Sequence, residues 1–171
     1  MHRWFERKFN LDLPISLYSN VVERLRGVPS RLEEYLLHMP SEILTQNEGE
    51  NWSIQEHAGH LLDLEPLNTG RLDDFEQGLE NLRPADLQNK KTYEANHNQR
   101  SIQSLLAQFR QERVVFVRRL EKYDDEFVSR IAVHPRLQLP MRVIDLVFFV
   151  AEHDDHHLAT ISGMIQRLTG A

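Results

Sequence analysis

The sequence contains no cysteine. That absence removes disulfide bridges, thiolate metal sites and a cysteine nucleophile together, and leaves the cytoplasm as the default location. Basic charge is also short: Lys and Arg total 20 against 26 Asp and Glu, for a net charge of −6. No cationic footprint for nucleic acid exists. Long apolar runs are missing too. The stretch around Val147-Phe148-Phe149-Val150-Ala151 is far below the roughly 20 residues of a membrane span. The opening Met1-His2-Arg3-Trp4-Phe5-Glu6-Arg7-Lys8-Phe9 has charges where a signal peptide needs its apolar core. No phosphate loop, dinucleotide fingerprint or Ser/His/Asp arrangement is present.

What remains is an ordinary globular composition, 40% hydrophobic and 27% charged over 171 residues, enough for one domain with a sizeable core. We read residues 1–171 as that domain, with residues 1–12 an N-terminal extension whose Trp4, Phe5 and Phe9 pack on the body.

Apolar residues return every three or four positions, the helical period. One such segment runs from Leu13 to Met39, interrupted at Gly27-Val28-Pro29, where proline permits a new helical start but not an unbroken interior. A loop from Pro40 to Asn51 follows. Ser53 with Glu56 makes a capping-box pattern, with Trp52 as a hydrophobic staple, opening a helix to about Gly78 with a kink available at Pro66. Leu82 to Asn98 is irregular. Ser101 caps a third long helix through Leu120. Tyr123 to Pro140 is a second irregular connection, with room for short strands in Ser129 to Leu139 but no strand pair with a hairpin signal. The last helix spans about Met141 to Leu168. Four long amphipathic helices in one small domain predict an all-α four-helix bundle with irregular connections.

Five of the nine histidines fall in two short clusters, His57 and His60 in the first and His153, His156 and His157 in the second. Positions i and i+4 of a helix lie about 40° apart and about 6 Å along its axis, so His153 can converge on one ion with His157, or with His156 one step closer. Periodicity chooses. Leu146, Val150, His153, His157, Ile161, Met164 and Leu168 form one stripe, apolar apart from the histidines. The stripe through His156 continues to Thr160, Gly163 and Arg167 and is wetter, placing His156 at the edge. On the earlier helix His60 shares a stripe with Leu64 and Leu67, whereas His57 lies near the helix start and reads as wet.

Packing the two helices together gives a metal site of His60, His153 and His157. An unpartnered buried polar group costs about 1–3 kcal/mol, and a metal ion removes that cost for all three. Zincin and di-iron frameworks do not fit. The second cluster reads His153-Asp154-Asp155-His156-His157, with no His-Glu-x-x-His. The third residue after Glu56 is Gly59 and after Glu152 is Asp155, so neither makes Glu-x-x-His. Asp63 and Asp154 are candidates to orient ligand imidazoles, against the plainer reading of solvated flanks. His134, before Pro135, either overhangs the site or is an ordinary loop residue. His57 and His156 complete the possible surroundings. His2, His38 and His97 carry no argument, and no catalytic or cofactor-binding residue is singled out.

The segments Trp52-Ser53-Ile54-Gln55-Glu56-His57-Ala58-Gly59-His60-Leu61 and Glu152-His153-Asp154-Asp155-His156-His157-Leu158-Ala159-Thr160-Ile161 resemble the DinB/YfiT-like metalloenzyme family. The family's tryptophan-started helix places a histidine at His60, and its His-x-x-x-His helix falls on His153 and His157. His134-Pro135-Arg136 and Pro140-Met141-Arg142 resemble a loop of some relatives. The likeness spans roughly residues 10–170. One departure is visible: Thr160 stands where relatives often carry glutamine.

The resemblance implies a four-helix bundle binding one divalent ion through three histidines, commonly as a homodimer. All-imidazole ligation suits zinc, nickel, iron or copper. The implied activities are thiol-dependent transfer or isomerisation, with a low-molecular-weight thiol as co-substrate, or metal-assisted hydrolysis of a small molecule. The alternative is a non-catalytic, stress-related metal-binding or interaction module.

Overall fold

The computed structural model describes residues 4–170. Its helices in chain order are α1 Tyr18–Arg26, α2 Val28–Leu36, α3 Ser41–Leu44, α4 Ile54–Glu76, α5 Lys90–Glu94, α6 Ile102–Leu120, α7 Asp125–Val128 and α8 Val143–Thr169. Short 3-10 turns lie at Trp4–Glu6, Ile15–Leu17 and His97–Gln99. The α1–α2 pair packs with α4, α6 and α8 to form the four-helix bundle.

Local chemistry sets the helix ends. The Ser53 and Glu56 capping box is present, with Glu56 N–H donating to Ser53 Oγ at 3.1 Å and Ser53 N–H to Glu56 Oε2 at 2.7 Å. Ser101 caps α6 through Ser104 N–H. Pro66 sits inside α4 without ending it. Gly27 keeps right-handed helical angles, so the α1–α2 interruption is slight. Pro29 has no N–H to give the Leu25 carbonyl four residues back, and that oxygen accepts from Arg113 Nη1 at 3.4 Å instead.

The second irregular connection does hold short strands, and they pair without a hairpin signal in the sequence. The connection before α8 contains an antiparallel pair, β1 Ile131–His134 and β2 Leu139–Arg142. β1 also meets the chain leaving α4, with Val133 N–H donating to the Glu80 carbonyl at 2.8 Å. The turn takes its left-handed residue at Gln138, φ +53°, rather than at the glycine or asparagine that would have announced it. Met141 therefore belongs to a strand, and α8 starts at Val143, where Asp145 accepts from Arg142 N–H at 3.0 Å.

The apolar interior is divided in two. One cluster gathers Leu25, Leu72, Phe75, Phe116, Val117 and Leu146. The other gathers Leu32, Ile54, Leu61, Leu105, Phe109 and Ile161. Between them in the sequences of α4, α6 and α8 stand Glu65, Arg113 and Asp154, all at most 1% exposed. Arg113 Nη2 lies 2.6 Å from Glu65 Oε1 and Nη1 lies 2.6 Å from Asp154 Oδ2. Asp154, expected either beside a ligand or in solvent, does neither: the buried guanidinium holds it.

Arg113→Leu leaves two buried carboxylates uncompensated and should destabilise the fold by about 3–5 kcal/mol. Urea unfolding followed by circular dichroism measures it, and a loss of under about 1 kcal/mol, the range of an exposed pair, would contradict the role given to this cluster.

Candidate metal centre

His60 projects from α4, and His153 and His157 from successive turns of α8. One ring nitrogen of each lies within 4.8 Å of the others. His153 Nε2 and His157 Nε2 are 3.3 Å apart. The ring centroids of His60 lie 5.4 Å from His153 and 4.9 Å from His157. Burial pushes the His60 pKa down to about 4. Burial, reinforced by the neighbouring rings, holds His153 and His157 well below the ordinary value. All three are neutral near pH 7 and can offer lone pairs.

The tautomer of His60 follows from its partners. Ionised Asp63 can only accept hydrogen bonds, so the Thr92 hydroxyl donates to it. Thr92 Oγ1 must then accept from His60 Nδ1–H at 3.0 Å, which leaves His60 Nε2 as the free lone pair. Asp63 also accepts from His97 Nε2–H at 2.8 Å. Burial raises the Asp63 pKa, but the His97 and Thr92 hydrogen bonds and the Lys91 charge outweigh it and keep the carboxyl below its ordinary value. His97 is 1% exposed and lies flat on Gly59, where a Cβ would come within 2.3 Å of the ring. Neither Thr92 nor His97 was singled out from sequence. Their only signal was the turn-forming stretch that carries them back over α4.

His57 is not wet. Its Nδ1 lies 2.9 Å from His157 Nδ1, and Trp52 packs edge-on against it with centroids 5.4 Å apart. Burial, aided by His156, lowers its pKa to about 4. When His157 Nδ1–H donates to His57, His157 Nε2 is left free to ligate. Trp52 does more than staple the helix entry, because its ring also lies 4.8 Å from that of His60. From the N-terminal side Trp4 sets its ring edge-on to His153 at 4.8 Å and contacts Phe9. Phe5, expected to pack, is 62% exposed.

A cavity of about 210 Å³ adjoins the rings, lined in part by His60, His153, His156 and His157, by Trp4 and Trp52, and by His134. It reaches the surface past Phe5 and Leu87, both exposed. His156 stands half-buried at its edge, 5.5 Å between centroids from His157. His134 is 2% exposed, and the hairpin carries it over the site. Thr160 donates to the His156 carbonyl at 2.8 Å.

Three neutral imidazoles with converging nitrogens, His60 and His157 buried and His153 partly so, two of them held through the opposite nitrogen, form a donor set that fits a divalent ion. A family model described as the DinB superfamily matches residues 24–161. No curated protein matches the chain. YfiT from Bacillus subtilis, described as a probable metal-dependent hydrolase with an unusual four-helix bundle topology, has a similar structure. The TM-score is 0.78 at 19% identity, covering 96% of this chain and 94% of that one. At that identity the likeness bears on the fold, which is a four-helix bundle of the same kind.

Thr92→Val keeps the shape but removes the acceptor for His60 Nδ1–H, and it should weaken zinc binding by about 10–100-fold, measured by competition with a chromophoric chelator. A second expectation concerns pH. Burial, with Arg71 and Arg136 nearby, lowers His134 from 6.5 to about 4. As pH falls through this window the unfolded chain takes up a proton that the folded chain refuses, so stability declines between about 6.5 and about 4. His134→Gln should make that decline shallower in urea midpoints measured across the window.

Proposed function

The chain belongs to the DinB superfamily, and on that premise we propose that it is a metal-dependent enzyme in which His60, His153 and His157 hold one divalent ion. Convergence of the three nitrogens beside a cavity that opens to the surface is the observation that carries this reading. Zinc, nickel and iron suit the ligand set. An ion held by three protein ligands keeps a position open and supplies Lewis-acid polarisation and acidification of a water or thiol.

The protein's own groups do the rest. The Thr92–Asp63 pair orients His60, and His57 orients His157. Trp4 and Trp52 screen the rings from bulk water. His156, its pKa lowered by burial and the Arg7 charge, is the imidazole at the cavity edge placed to take a proton from the nucleophile.

Hydrolysis of a small molecule is the leading reaction, supported by the description of YfiT. Transfer to a low-molecular-weight thiol is the close variant, and with no cysteine in the chain that thiol comes from a co-substrate. A homodimer in the cytoplasm belongs to the same reading, on the family resemblance and the lack of cysteine. The surface-reaching cavity favours turnover over a purely metal-binding or interaction role.

The purified protein should contain one ion per chain by elemental analysis. His60→Ala, His153→Ala and His157→Ala should each weaken zinc binding by more than about 100-fold, beyond the loss from a supporting partner. Zinc-loaded protein should hydrolyse members of an ester and amide panel without added thiol. Turnover only with thiol would assign transfer instead, and unchanged zinc affinity in the three variants would remove the site.

A further inference from the structure

At the end of the cavity formed by the hairpin, donors accumulate without acceptors. Arg71 and Arg136 both line it, together with His134. Arg71 is 3% exposed, and its Nε donates to the Arg83 carbonyl at 3.2 Å. Its guanidinium has no ion pair among the described residues. The acid nearest in influence, Asp74, is taken by Arg83, whose Nη2 lies 2.7 Å from Oδ1 and whose backbone N–H lies 2.8 Å from Oδ2.

Arg136 lies between the rings of Phe5 and Phe149, its guanidinium carbon 5.2 and 5.6 Å from their centroids. Its Nη2 is buried without a partner. His134 accepts from Leu137 N–H through Nδ1 at 3.3 Å. Its proton is therefore on Nε2, and that atom too is buried without a partner.

Two like charges and a neutral donor, drawn together in a partly desolvated pocket, are unfavourable unless an anion completes them. The three are close enough to oppose one another's protonation: Arg136 and Arg71 both depress His134, and Arg136 depresses Arg71, whose pKa burial has already brought down to about 10. The described residues do not provide the anion. Asp86, the one carboxylate in the lining, accepts from the backbone N–H groups of Gln88 and Lys90 at 3.0 and 2.7 Å and is committed to its own turn.

We propose that Arg71, Arg136 and His134 Nε2–H bind a carboxylate of the substrate, and that the substrate is a small organic carboxylate whose reacting bond lies at the histidine end of the cavity. A planar oxyanion with two oxygens matches the few available donors, whereas a phosphate dianion has more acceptor sites than this end can fill. Apolar side chains, Leu64, Leu67 and Val150 among them, line the same cavity and suit a hydrocarbon body. The proposal rests on the metal-dependent reading for the position of the reacting bond. The carboxylate pocket itself does not require the ion.

The test is calorimetric titration of the full chain, zinc-loaded and again after chelation, with benzoate, benzamide and phenyl phosphate. Benzoate should bind in both states, with benzamide and phenyl phosphate weaker by about tenfold or more. Arg136→Gln, a change at a half-buried side chain, should weaken benzoate by about tenfold or more in both states, with its thermal melt confirming a folded protein. Arg71→Lys, which keeps the charge but loses the fork, should also weaken it.

Equal binding of benzamide, tighter binding of phenyl phosphate, or unchanged affinity in folded Arg136→Gln would overturn the proposal. So would benzoate binding that disappears with the zinc, since that places the carboxylate on the ion. Benzoate binding with the expected arginine dependence in a protein that takes up no zinc would leave this pocket standing and remove the metal reading alone.

Discussion

Arg113 is the fixed point of the bundle. Its guanidinium ties α6 to Glu65 of α4 and Asp154 of α8, and to the Leu25 carbonyl that Pro29 leaves without a helical donor. Hydrophobic packing is forgiving of small rotations and slides. A buried charge with three specific partners is not. The cluster therefore sets the rotation of α4 and α8 relative to each other at the level where their histidines meet. His153 is the residue before Asp154, and His157 lies one turn beyond His153. Had the layer been apolar, the two cores would pack as well, but nothing would single out the register that brings three imidazoles together.

The candidate centre shows how a neutral imidazole can be prepared for ligation. Burial removes the competing proton, and a polar partner on the opposite nitrogen decides which lone pair faces inward. For His60 that partner is anchored through Asp63 to His97, so part of the candidate site's geometry depends on a turn well outside either histidine helix. The hairpin makes the matching contribution from the other side of the cavity, because it carries His134 and Arg136 over a pocket whose remaining walls come from the bundle.

The long helices were legible because their apolar period and serine caps are local signals. The inward faces of His60, His153 and His157 were legible for the same reason: a stripe on a helix survives folding. Three kinds of information were not. Gln138 carries a left-handed turn that its side chain does not advertise, so short strands were allowed for in that stretch but their pairing was not legible. Asp154 looked like a solvated neighbour because its partner Arg113 is 41 residues away and nothing in the sequence joins them. His57 was judged by its distance from the helix start, whereas its surroundings are made by Trp52 and α8. His97 and Thr92 have roles that exist only after the chain folds back over α4. In the stretch Glu152-His153-Asp154-Asp155 consecutive side chains serve Arg7 and Arg24, the candidate metal centre, Arg113, and Arg24 with Arg31. A sequence shows that such a stretch is polar, but not that each position answers to a different partner.

Gly59 gives the arrangement an unexpected vulnerability. Its missing side chain is the floor on which His97 rests, and a single methyl group there would lift that ring away from Asp63. The disturbance would reach the His60 imidazole in steps, through the Asp63 carboxylate and the Thr92 hydroxyl, without touching any of the three clustered histidines directly. The residue with no side chain at all thus helps to hold the imidazole one position further along, for a reason written in a different part of the chain.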